Sequence, residues 1–214
     1  MNCQIKHGYL SMLTVKSLLF YSDDTTSGLS DEIILPFSSF TELVEEFKDE
    51  SVLYITLTNP RNQLEYLVTM GSSHDHDLTT VYVPQWIMDQ LQIMEEGEVV
   101  TIKKADAMDL PVASRIVIKP LEPFTGSDLR ASVEEALMNL HSIRENMTIP
   151  VAINESWSIL VYLETVEPAS LARIVSGEVD VEFMEEEEVD LIKPKVLTAD
   201  ERRKQVRDAW RNRS

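Results

Sequence analysis

A single cysteine, Cys3, stands in 214 residues. A disulfide within the chain is therefore excluded, and so is a zinc centre built on cysteines. Positive charge is scarce as well: 19 Lys and Arg face 37 Asp and Glu, for a net charge of -18. A surface of that sign repels phosphate backbones and anionic lipid, so neither nucleic acid nor membrane is an expected partner; basic-faced proteins are. No run approaches the ~20 apolar residues of a membrane span. The opening "MNCQIKHGYLSMLTVKSLLF" is broken by Lys6 and Lys16 and lacks a small-residue cleavage site, so it does not read as a signal peptide. The sequons at Asn146 and Asn154 are then chance matches. No glycine-rich phosphate loop occurs, and no cofactor is implied. With 43% hydrophobic and 26% charged residues, the chain reads as a globular intracellular protein, cytoplasmic or nuclear.

What is present is a repeat. Residues 33–57, "IILPFSSFTELVEEFKDESVLYITL", and 81–103, "VYVPQWIMDQLQIMEEGEVVTIK", both run from a β-rich stretch through a proline into a short helix, an acidic loop and an alternating strand. Phe40 and Leu43 follow Pro36 at the offsets at which Met88 and Leu91 follow Pro84. Positions three apart share a helix face, so each copy offers one apolar stripe. Leu53, Ile55 and Leu57, and then Val100 and Ile102, alternate as strands with one buried face. Two such units predict a pseudo-twofold barrel of interlocked halves. Between them, residues 64–84 predict two strands around a polar loop at Gly71–Thr80. "DLPVASRIVIKPLEP" adds a strand that Pro120 and Pro123 close. The first unit is expected over residues 10–120.

Ser127 reads as the N-cap of a helix with Leu129, Val133, Ala136, Leu137 and Leu140 on one stripe. "MTIPVAI", "SWSILVYLETV" and "ARIVSGEVDVEF" follow as strands, giving a small α+β unit over 121–184. Residues 185–214 read as an acidic, Pro-broken linker and a basic helix with a capping box at Thr198 and Glu201. From residue 199 to the end, six Lys and Arg face three Asp and Glu. Glu185, Glu186, Glu187 and Glu188 read as a solvated run or a docking strip. Val206 and Trp210 share a helix face, and an indole there requires burial against this protein's own body or a partner.

Candidate chemistry is thin. In "SSHDHD", His74 and His76 with Asp75 and Asp77 could hold a metal, although an exposed polar loop explains the same residues. "DDTTSG" at 23–28 is near the Asp-Thr-Gly of aspartic proteases, but Gly28 is displaced from Asp24 and Thr25 and no second copy completes a dyad. His7 and His141 have no nucleophile motif beside them, and His141 suits a helix C-terminus.

"LTNP", "TTVYVPQWIMDQLQIMEEGEVVTI", "SRIVIKPLEPFTGSDLRASVEEALMNL" and "ILVYLETVEP…VDVEF" together resemble the N-terminal region of ubiquitin fusion degradation protein 1. The pattern Y-[LV]-P-x-W-[MI]-M, carried by Tyr82, Val83, Pro84, Trp86, Ile87 and Met88, is its structural signature. The resemblance spans about residues 30–184 and implies a mainly β fold: a double-psi β-barrel followed by a small α+β subdomain, as in the N-domain of the valosin-containing AAA+ unfoldase. It implies a non-enzymatic adaptor that binds ubiquitin or ubiquitin chains. Further partners implied are that unfoldase and its nuclear-protein-localisation cofactor, although the F-x-G-x-G-x-x-L docking motif does not occur here. Two other readings stand beside it. One is a scaffold that keeps the barrel without ubiquitin binding, favoured by the long 71–80 loop and the missing docking motif; the other is a hydrolase using Asp24 or His74.

Overall fold

The structure, a computed structural model, describes residues 10–21, 28–46, 52–106, 110–122, 129–154, 157–175 and 179–184. Residues 1–183 form one compact unit and 184–214 another, of which only Met184 is among the described residues.

The first half of the chain holds β1 (Leu10–Ser17), a 3-10 turn (Leu18–Phe20), β2 (Glu32–Pro36), α1 (Phe37–Glu46), β3 (Tyr54–Thr58), β4 (Glu65–His74), β5 (Thr80–Val83), α2 (Gln85–Gln90) and β6 (Val99–Lys104). The six strands close into a barrel in the order β1-β5-β2-β4-β3-β6. Exchanging β1 with β4, β2 with β5 and β3 with β6 maps every pairing onto one of the same sense. The parallel pairs β1–β5 and β2–β4 swap, as do the antiparallel pairs β1–β6 and β3–β4. The antiparallel pairs β2–β5 and β3–β6 map onto themselves. The repeat in the sequence is this twofold, and the fold is a double-psi barrel.

Alternation fills its interior. Leu13 and Val15, Ile33 and Leu35, Ile55 and Leu57, Val81 and Val83, and Val100 and Ile102 point inward from five strands, and Val68 from β4. Each half turns from strand to helix at its proline, and both bury the expected leucine, Leu43 in α1 and Leu91 at the C-cap of α2. The end of α2 is locked by two backbone bonds, Ile93 N–H to Met88 O at 2.9 Å and Gln92 N–H to Asp89 O at 3.0 Å. That pattern requires a left-handed residue, and Gln92 supplies it at φ 54°. Gly97, at φ 87°, makes the turn into β6 and donates its N–H to Val15 O.

The second half holds β7 (Arg115–Pro120), α3 (Leu129–Met138), β8 (Ser142–Arg144), β9 (Thr148–Asn154), β10 (Trp157–Glu167), β11 (Leu171–Arg173) and β12 (Asp180–Phe183). A four-stranded sheet runs β12-β7-β10-β9, with β8 and β11 as a separate pair. Helix α3 packs against β9 and buries Val133, Ala136 and Leu137. Ser127 lies outside the described residues.

Two expectations are corrected. Strand 115–120 was expected in the first unit, but it pairs with β10 and β12, so the barrel ends at Lys104. Its partners lie 41 to 65 residues ahead in sequence, where local periodicity gives no sign of them. Gly71–Thr80 was expected as a loop, but β4 runs through His74 in parallel register with β2, leaving only residues 75–79 as a connection.

The twofold implies equal dependence on its two helices. Leu43→Ala and Leu91→Ala should each cost about 2–5 kcal/mol in urea unfolding; a near-neutral result for either would show that its helix is peripheral. Gln92→Gly should instead stabilise by roughly 0.5 kcal/mol, because relief of left-handed strain exceeds the added chain entropy. A destabilised Gln92→Gly protein would show that the strain is absent.

Candidate functional site

The signature residues lie inside the fold. Val83 closes the barrel core, Trp86, Ile87 and Met88 are the buried residues of α2, and Pro84 precedes them as its N-cap. Trp86 stands edge-on to Tyr66 with ring centroids 5.6 Å apart, and among the described residues no acceptor meets its Nε1–H. The "LTNP" residues serve the same helix. Buried Asn59 donates from Nδ2 to Leu91 O at 2.9 Å, capping α2 from the first half of the barrel, and its Oδ1 accepts the Arg61 N–H at 3.0 Å. Tyr82 alone lies on the outer wall, packed with Leu18 and Ile34.

A junction that no motif announces joins the barrel to the segment between α3 and β8. Asp31, just before β2, is 0% exposed. Its Oδ2 accepts the backbone N–H of His141 at 2.9 Å and of Ser142 at 3.1 Å. Its Oδ1 meets His141 Nδ1 at 2.8 Å and accepts the Thr69 hydroxyl at 3.3 Å. Around this anion, Ser142 Oγ donates to Leu67 O, Tyr54 to His141 O and Arg144 to Glu65 O. Tyr66 reaches Met147 Sδ at 3.7 Å, and burial holds its phenol well above the usual range. His141 is thus placed by a carboxylate 110 residues away, not by the dipole of α3 alone. Nothing local marks Asp31; only the pairing identifies it.

"SSHDHD" is a packing device. His74 is 4% exposed, with Nε2–H donating to Thr80 O at 2.8 Å and Nδ1 accepting the His76 N–H at 3.3 Å. Both ring nitrogens are occupied, so His74 neither ligates a metal nor serves as a base. Its ring meets Tyr82 edge-on at 5.1 Å, and Tyr21 packs on Tyr82 and His76. Asp77 folds the loop back by accepting from Thr80 N at 2.6 Å, Thr80 Oγ1 at 2.7 Å and Thr79 N at 2.8 Å. The Thr80 hydroxyl, helped by the two N–H groups, lowers its carboxyl to about 2. Among the described residues no three ligating groups gather as a metal site, and no helix is long and apolar enough to cross a membrane. His7, Asp24, Thr25, Glu185, Glu186, Glu187, Glu188, Val206 and Trp210 lie outside the described residues.

Comparison with known families matches residues 9–108 to the model of ubiquitin fusion degradation protein UFD1, N-terminal subdomain 1. The match covers the whole barrel, from β1 to β6. Curated proteins gave no match to the sequence.

His141 gives the junction a pH dependence. The Asp31 hydrogen bond raises its pKa above the ordinary 6.5, the Asp31 and Glu32 charges add to this, and partial burial opposes it. The stability so gained is full below about pH 6.5 and is lost as the pH climbs through the folded-state value. Melting followed across that range should show the decline, and His141→Gln should flatten it. An unchanged slope in His141→Gln would assign the dependence to another group. Asp31→Ala, which strands two buried N–H groups, should cost roughly 3 kcal/mol in urea unfolding.

Proposed function

Through residues 9–108 the chain belongs to the UFD1 family, and from that premise we propose that it is an adaptor that binds ubiquitin or ubiquitin chains on degradation substrates. A role in ubiquitin-dependent degradation follows from the family itself. The finer reading is that it holds conjugates for a valosin-containing-type AAA+ unfoldase and its nuclear-protein-localisation cofactor, in the cytoplasm and nucleus, without catalysing a reaction. The observation that carries it is the family match across a complete, closed barrel.

Two physical features support the reading. Ubiquitin presents an apolar patch rimmed by basic residues, and a chain of net charge -18 attracts such a rim over long range. The signature residues are consumed in packing, which suits a rigid platform whose partners meet its exterior. The hydrolase reading is weakened because both nitrogens of His74 are engaged. The scaffold reading drew on a long 71–80 loop and on the missing docking motif; β4 takes up the loop as far as His74, while the motif is absent from the sequence.

Titrating mono-ubiquitin and ubiquitin chains into the labelled full chain, with amide NMR shifts as the readout, tests the proposal. Saturable shifts in the micromolar-to-millimolar range are expected of a small interface (roughly 10⁻⁵–10⁻³ M). No shift at millimolar ubiquitin would sink it.

A further inference from the structure

Among the described residues, the second sheet has one covered face and one open one. Ile149 and Val151 of β9, Ile159, Val161 and Leu163 of β10, Ile116 and Ile118 of β7 and Val181 of β12 all point to the covered side and are buried. An open antiparallel face normally carries polar residues at the alternate positions. Here those positions hold an apolar row. Leu160 pairs with Pro150 across β10–β9, and on its other side Leu121 donates its N–H to Leu160 O at 3.0 Å. Leu160 is 43% exposed and Leu121 51%. The next row is Thr148–Tyr162–Lys119, and beyond it stands half-buried Val117 beside Thr165. Cross-strand neighbours of this kind lie ~5 Å apart, so the side chains form one continuous surface across three strands. Such a surface marks an interaction site more strongly than scattered exposed leucines do.

The charge around the row has a sign. Glu164 is exposed in the β10 bulge, and Glu167, Asp180 and Glu182 stand along the rows beyond it, against Arg115 and Lys119. Arg115 is already engaged. It grips Glu182 through Nε at 2.9 Å and Nη2 at 2.5 Å, and meets Glu167 through Nη1 at 2.7 Å. One guanidinium between two carboxylates leaves that trio negative, so the apolar row has an acidic margin. A partner suited to it carries an apolar centre with a basic rim.

We propose that the open face of the β12-β7-β10-β9 sheet, centred on Leu160 and Leu121, is where this chain receives ubiquitin. The inference rests on the ubiquitin-binding reading above and gives that reading a location, outside the matched barrel. The contact is small, apolar at its centre and charged at its edge. Leu160 and Leu121 contribute most of the affinity, and the acidic margin orients the approach.

The test uses the full chain, labelled and titrated with mono-ubiquitin. Amide shifts should gather on β7, β9 and β10, at Lys119, Val151, Leu160 and Tyr162. Leu160→Asp and the milder Leu160→Ser should each retain a dispersed spectrum while weakening ubiquitin by about tenfold or more. Leu19→Asp, on the 3-10 turn of the barrel, should bind as the parent does. Parent-like affinity in folded Leu160→Asp and Leu160→Ser, or shifts confined to the barrel, would overturn this location while leaving the ubiquitin reading intact. Absence of any shift in the parent would overturn both. Shifts on this face that follow the chain's own concentration, without ubiquitin, would assign it to a second copy and overturn the inference.

Discussion

Asp31 is the group on which the arrangement of the two halves depends. A carboxylate withdrawn wholly from water is tolerated only when its acceptor positions are filled, since burying an unpaired charge costs several kcal/mol. Here the donors come from both halves: Thr69 from the barrel, and the His141 imidazole with two successive backbone N–H groups from the segment after α3. Moving that segment by one residue would exchange the N–H donors for groups aimed elsewhere and leave the anion exposed to its own desolvation. The surrounding bonds, from Ser142, Tyr54 and Arg144, run along β3 and β4 and presuppose the same placement. Apolar packing continues beneath it, for Ile143, Met147 and Ile149 share one core with Leu57, Val68 and Trp86. Hydrophobic burial makes the halves adhere; the buried carboxylate fixes the register in which they do so.

The parts legible in the sequence were those with a period. Pro36 and Pro84, followed by leucines at matching offsets, disclosed both halves of the barrel because each half must make the same strand-to-helix corner. The inward alternation of β10 was equally plain. β1 is less legible: Leu13 and Val15 alternate within it, but no proline corner follows to mark it as part of the repeat. The membership of β7 could not be read, since a strand's own pattern tells that one face is buried, not which strands lie beside it. Asp31 and His141 each sit in an unremarkable context, and their relation exists only after both halves have folded. His74 looked solvent-facing among serines and aspartates. Its burial depends on Tyr82 lying opposite, two strands away around the barrel.

Charge and apolar surface divide the work of recognition between them. Among the ion pairs of the folded body, Arg61 with Glu98, Arg115 with Glu167 and Glu182, and Arg130 with Glu134, cations are consumed where carboxylates remain in excess. The pairs of Arg115 and Arg130 are exposed on both sides and add little stability, whereas the Glu98 side chain is only 8% exposed. Each pair removes one charge of either sign, so the long-range field stays negative because 37 acidic residues outnumber 19 basic ones. A field of that sort acts on encounter: it accelerates the approach of a basic-rimmed partner and is screened within ~8 Å at physiological salt. It cannot hold the partner, since the same exposed carboxylates are fully solvated again when it leaves. Retention must come from apolar contact, and in the second sheet that contact is available where the strand pattern departs from the ordinary polar face, at Leu160 and Leu121. The acidic composition and the apolar row are therefore complementary: the first governs how often a complex forms, and the second how long it lasts.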